Sequence, residues 1–191
     1  MGVINRMNIL SYIMSTIALA LYCGSYFFNN KKKYLILQLN GNLFLSLSYF
    51  FMGAYFTMVS VVVGIARGLI CYTYEKNNKR VPVYMIIGLC FATVSSYIII
   101  NYLILSGTAS KWDFLYMFAS CMYAITFAVR NIMLMRYLVL IPHLCAILYN
   151  LLAKAPVSSL LSYGIEFIIT VVAIIKFEIQ EKQNSNIKTL Q

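Results

Sequence analysis

The segment Phe56–Tyr74, FTMVSVVVGIARGLICYTY, is an apolar run of nineteen residues broken by a single charge, Arg67. A helix of that length rises about 28 Å at 1.5 Å per residue, enough to cross the hydrocarbon core of a bilayer. A second run, VSSLLSYGIEFIITVVAIIKF, begins at Val157 and holds Glu166 in its interior. The dipeptide Gly64-Ile65 returns as Gly164-Ile165, so the two charges sit at nearly matching places in a chain that repeats with a shift of 100. A charge at the centre of a membrane helix costs about 2.5–3.5 kcal/mol even on lenient insertion scales. Each is therefore expected to face a partner or a wet interior.

Composition supports lipid as the surrounding solvent. Of the 191 residues 62% are hydrophobic and 10% charged, and the mean hydropathy is +0.80, a balance foreign to soluble domains. The formal charge of +10 resides in short clusters between apolar runs, where it records orientation. There is no basic, aromatic-studded polar face for nucleic acid, so the bilayer is the expected partner and nucleic acid is not. The five cysteines lie scattered in apolar runs without a CxxC pair, as small hydrophobes rather than a disulfide framework or zinc site. The chain lacks HExxH, GxSxG and Gly-rich phosphate loops, and Glu75 and Asp113 fall at helix ends. No enzyme activity and no cofactor are expected.

Seven apolar runs can be marked, at about 8–28, 34–52, 56–74, 82–105, 112–128, 132–152 and 157–177. Gly53-Ala54 makes a tight turn, SGTASK a loop, and Ala155-Pro156 a break, while the polar tail after Glu178 is expected to be disordered. The first run is read as a retained helix. Cleavage near Ala18-Leu19-Ala20 would imply a signal peptide that leaves Lys31, Lys32 and Lys33 outside, against the charge pattern. With the N-terminus outside, eleven of the fifteen basic residues fall in cytoplasmic segments and three (Arg6, Lys111 and Lys154) outside, with Arg67 in the membrane. That is the positive-inside pattern. The fold class expected is all-α: seven transmembrane helices as two parallel three-helix bundles joined by a linker helix, N-terminus out and C-terminus cytoplasmic. The divisions are 1–75, first bundle; 76–108, linker helix; 109–178, second bundle; and 179–191, cytoplasmic tail.

In the third helix of each bundle a small, polar face emerges: Ser60, Gly64, Arg67 and Cys71 in one, Ser159, Tyr163, Glu166 and Thr170 in the other. Two such faces meeting at the axis would bind a small solute, with Arg67 and Glu166 near the midplane. A zwitterion or carboxylate suits that pair better than a neutral sugar. Other readings are a purely structural Arg67–Glu166 ion pair, and Arg67 snorkelling to the cytoplasmic interface about 10 Å along its helix. The second helices add Asn42 and Tyr49, and Tyr149 and Asn150, as substrate-binding candidates. Asn40 reads as a helix–helix bond, and His143, after Pro142, as a local one. The alternative function is a non-transporting membrane assembly or interaction protein. Whether copies associate into a homo-oligomer stays open.

The segment Phe50-Phe51-Met52-Gly53-Ala54-Tyr55, followed by Gly64-Ile65-Ala66-Arg67, resembles the YgjV-type family of bacterial inner-membrane proteins. So does Asn150 followed by Gly164-Ile165-Glu166. The resemblance covers about 34–75 and 130–178 and implies a multi-pass protein of the bacterial inner membrane. It departs at Gly64, where the family pattern has a polar residue, often Asn. More remotely the three-one-three layout is similar to SWEET and PQ-loop transporters, whose second and third helices line a substrate pocket. By position that implies Arg67 and Glu166, then Asn42, Tyr49, Tyr149 and Asn150. The chain lacks the Pro-Gln dipeptide and the hinge prolines of those families.

Overall fold

A computed structural model describes residues 2–52, 55–103, 112–152 and 157–189. The Gly53-Ala54 turn, the SGTASK loop, the Ala155-Pro156 break and the side chains of Ser60 and Ser159 lie outside the described residues. Seven helices are formed: α1 (Gly2–Ser25), α2 (Lys31–Met52), α3 (Tyr55–Lys76), α4 (Val83–Leu103), α5 (Asp113–Ala128), α6 (Ile132–Leu152) and α7 (Val157–Thr189). Three of them are long and apolar enough to span a membrane, over Lys31–Met52, Ile132–Leu152 and Leu160–Gln183. Shorter apolar helical stretches run over Ile9–Ser25, Val83–Ile99 and Phe114–Ala128.

Local chemistry sets the helix ends. Asn30 Oδ1 accepts from the Lys32 and Lys33 amides at 2.9 and 3.4 Å, capping α2. Asn131 does the same for α6, accepting from Met133 and Leu134 at 2.9 and 3.2 Å. Helix α3 stops at Asn78, whose φ of 53° is left-handed. The Lys79 amide then reaches the Tyr74 carbonyl and the Asn78 amide the Glu75 carbonyl, closing a Schellman turn. The tail departs from expectation, because α7 continues as helix to Thr189. Glu178 and Lys182 stand one turn apart there, and Gln and Glu favour the helix even without a core to bury.

Packing follows a closed cycle: α1 against α2, α2 against α3, α3 against α5, α5 against α6, α6 against α7, and α7 back against α1. Helix α4 lies on the α3–α5 seam, touching both. Outward faces are apolar, with Phe91 72% and Val83 70% exposed, as lipid-facing positions should be. The inward faces instead bury Ser11, Gln38, Arg136, His143, Asn150 and Glu166. Small residues let the backbones close up, as in membrane interfaces generally. Ser11 and Ser48 each donate to the other's backbone carbonyl, at 3.0 and 2.9 Å, sealing α1 to α2. Across the α4–α5 contact Cys90 and Cys121 approach each other's carbonyls in the same reciprocal way, at 3.9 and 4.0 Å.

Two cations counted on the cytoplasmic side by sequence, Lys31 and Arg136, are buried. Lys31 pairs with Glu75 at 3.1 Å, joining the start of α2 to the end of α3. Arg136 is fully buried on α6, where Nη2 donates to the Phe28 carbonyl at 2.7 Å and the guanidinium lies over the Phe177 ring at 4.0 Å. It thus satisfies a carbonyl just beyond α1, an end that favours cations.

The helices α1 and α2 approach closely at Gly41, over which the Tyr22 ring lies. A Cβ at Gly41 would come within 2.5 Å of Tyr22 Cε1 and 2.7 Å of Cδ1. Gly41→Ala must push that ring aside, and overpacking of this kind costs about 1–3 kcal/mol. The variant is expected to melt several degrees below the wild type in detergent. An unchanged melting temperature would show that Tyr22 can move freely.

Candidate functional site

Arg67 projects from α3 toward α5. Its Nη1 donates to the Ser120 backbone carbonyl at 3.0 Å, and its guanidinium lies 5.4 and 5.2 Å from the Tyr123 and Phe127 ring centroids. Its Nε is enclosed without any hydrogen-bond partner. The side chain goes sideways to an aromatic wall, so snorkelling does not describe it. Nor does it meet Glu166: the one ion pair among the described residues is Lys31–Glu75. The Arg67–Glu166 pair expected as a structural lock therefore does not form. The physical reason is the packing order, in which α3 adjoins α2, α4 and α5 while α7 adjoins α6 and α1.

Glu166 is 8% exposed on α7. Its carboxyl group makes no ion pair among the described residues. Arg67 lies against α5, so the two groups do not touch. One turn on, Thr170 returns its hydroxyl to the Glu166 backbone carbonyl at 2.7 Å and leaves the carboxylate free.

Asn42 on α2 joins the Arg67 side of the interior. Its Oδ1 accepts from the Tyr22 hydroxyl at 2.9 Å, and it borders the backbone of Gly64. Tyr49 is half-buried on the same helix, within reach of Glu166. Tyr149 packs on Tyr116 with ring centroids 5.5 Å apart. Asn150 is buried but donates to the Ala146 carbonyl of its own helix at 2.6 Å, and Asn40 does likewise to Ile36 at 2.9 Å. Of the six sequence candidates, the structure thus brings Arg67 and Asn42 together across Gly64, while Glu166 on α7 does not pair with Arg67. Tyr149 packs on Tyr116, and the amide of Asn150 is already engaged.

His143 is the residue that the sequence undervalues. It makes no local bond among the described residues; it is fully buried, and Tyr26, just beyond α1, holds Nε2 while Tyr123 from α5 holds Nδ1, each at 2.8 Å. A neutral imidazole has one N–H and one lone pair on its ring nitrogens, so one tyrosine donates and the other accepts. Tyr22 was missed as well. Both belong to a pattern with a spacing of 101 rather than 100: Tyr22 bonds Asn42 as Tyr123 bonds His143, and Asn30 caps α2 as Asn131 caps α6. An alignment of identities at a shift of 100 slides past both pairs by one residue.

The bacterial inner membrane protein model of the Imp-YgjV type matches residues 9–181. The chain belongs to that family. It is accordingly a bacterial inner membrane protein, and its exposed apolar faces have a bilayer to meet. No curated protein and no solved structure is matched by the chain, so the remoter likeness to SWEET and PQ-loop proteins has no match behind it.

Because His143 is the single histidine, protein labelled with ¹⁵N-histidine gives one imidazole spectrum. The expected spectrum is a neutral ring in one dominant tautomer with both nitrogens hydrogen-bonded. Tyr26→Phe should alter the Nε2 shift and Tyr123→Phe the Nδ1 shift, each leaving the other bond in place. A spectrum typical of free, exchanging imidazole would contradict the arrangement.

Proposed function

We propose that this protein carries a small polar or charged solute across the inner membrane through the interior shared by α1–α3 and α5–α7. In this reading the two triplets are parallel three-helix bundles, α4 is the linker between them, the N-terminus lies outside and the C-terminus in the cytoplasm. The cyclic packing supports the division, since α3·α5 and α7·α1 are the corresponding seams of two like units. The hydrogen bonds and caps repeated at a spacing of 101 support it too.

The observation that carries the reading is that Arg67 and Glu166, ionisable groups set into apolar helices, do not pair with each other among the described residues. A buried charge without a counter-charge is costly, and a pair kept only for stability would be expected to close on itself. Groups held apart can each take a complementary part of a solute. One observation favours the alternative of a non-transporting assembly protein: the Arg67–Ser120 bond and its aromatic wall clamp α3 to α5.

Uptake by proteoliposomes containing the purified protein distinguishes the two. A panel of amino acids, carboxylates, nucleosides and sugars should include at least one solute that accumulates above empty liposomes. Arg67→Gln and Glu166→Gln should each lower that uptake by roughly tenfold or more, the worth of one charged hydrogen bond, while still folding. No uptake by the wild type, with Arg67→Gln melting far below it, would turn the reading to the structural one.

A further inference from the structure

Resting on the transport reading, the geometry around Arg67 says what the solute must carry. A guanidinium has five N–H donors, and only one of them, on Nη1, has a hydrogen-bonding partner within distance among the described residues: the Ser120 carbonyl at 3.0 Å. The guanidinium carbon also lies over the Tyr123 and Phe127 rings, 5.4 and 5.2 Å from their centroids. What remains is the side-on edge, Nε with Nη2, whose two N–H bonds run parallel at the spacing of two carboxylate oxygens. Nε on that edge is enclosed and unpartnered.

The same edge is bordered by a place with no side chain. A Cβ on Gly64 would lie 3.5 Å from Arg67 Nη2 and 3.6 Å from Asn42 Oδ1, so the missing methyl separates those two groups. The Tyr22 hydroxyl donates to Asn42 Oδ1 at 2.9 Å and so fixes the amide, with that oxygen toward Gly64. Gly64 of α3 is thus a bare floor between the Arg67 edge on the same helix and the Asn42 side-chain oxygen on α2. No carboxylate of the chain pairs with Arg67 among the described residues, so its counter-charge has to come from elsewhere.

We propose that the Nε/Nη2 edge of Arg67, above Gly64 and beside Asn42, binds the carboxylate of the transported solute. Gly64 is then a determinant of specificity: its missing side chain leaves the edge open to a planar, two-oxygen anion. A point charge would not do the same work as the fork, and a neutral hydroxyl compound would leave the cation unanswered.

The test is a thermal-shift titration of the full chain in detergent with sodium acetate, sodium succinate and L-alanine. Sodium chloride at equal ionic strength and glucose serve as the comparison probes. At least one of the three carboxylate probes should raise the apparent Tm by about 5 °C at saturation, with chloride and glucose inactive. Arg67→Lys keeps the charge but removes the fork, and it should abolish the shift. Gly64→Ala adds a Cβ at ordinary contact distance, so it should fold like the wild type and still lose the shift. The proposal is overturned if carboxylates act no more than chloride, or if both variants keep the wild-type shift. Uptake of glucose or a nucleoside by proteoliposomes, with no carboxylate shift, would overturn this assignment and leave the transport reading standing. Absence of both uptake and shift would remove the two together.

Discussion

Inside a membrane-embedded helix bundle, a polar atom cannot turn to solvent and must find its partner among neighbouring helices. Much of this structure follows from that constraint. Ser11 and Ser48 satisfy each other, Tyr22 satisfies Asn42, and Tyr26 and Tyr123 share the two nitrogens of His143. Most of these bonds join consecutive helices, and Tyr26–His143 reaches across 117 residues from the end of α1 to α6, so polar satisfaction helps decide which helices lie side by side. Lipid-facing leucines and phenylalanines cannot decide it, because they gain little from one neighbour over another.

Arginine meets the constraint in two ways here. Arg136 is buried, gives one N–H to the Phe28 carbonyl and stacks on Phe177, and so closes the end of α1. Arg67 also reaches a backbone carbonyl and an aromatic wall, yet it keeps an edge beside the bare backbone of Gly64. Among the described residues both guanidinium groups leave Nε without a partner, so what sets Arg67 apart is the bare backbone beside it. In the proposed reading it holds a charge ready in a medium where electrostatic interactions are strong.

How much of this was legible in the sequence depends on the kind of information. The apolar runs anticipated the helices well, and the run at 132–152 coincides with α6. Arg67 and Glu166 stood out because a charge in such a run is expensive whatever surrounds it. Their partners were not legible. A backbone carbonyl such as that of Ser120 has no sequence signature, and Tyr22 and Tyr26 look like any of sixteen tyrosines until their hydroxyls find Asn42 and His143. Identities aligned at one offset also hid a correspondence of bonding roles at another: asparagine and histidine both answer a tyrosine hydroxyl, though they share no letter. The tail after Glu178 looked unable to order because it is mostly polar, but a helix already begun need only be extended, which is far easier than starting one.

The length of α7 has a practical consequence. Its 33 residues make a rod of about 50 Å, while a bilayer's hydrocarbon is about 30 Å thick. Roughly a third of the rod therefore stands clear of the lipid, in register with the part that holds Glu166. A small protein is hard to orient in electron images because detergent hides most of its outline. A rigid helical partner spliced in phase onto this rod would break that featureless outline and report the angle of α7 itself, so a rocking of one half of the bundle against the other would appear as a swing of the attached mass.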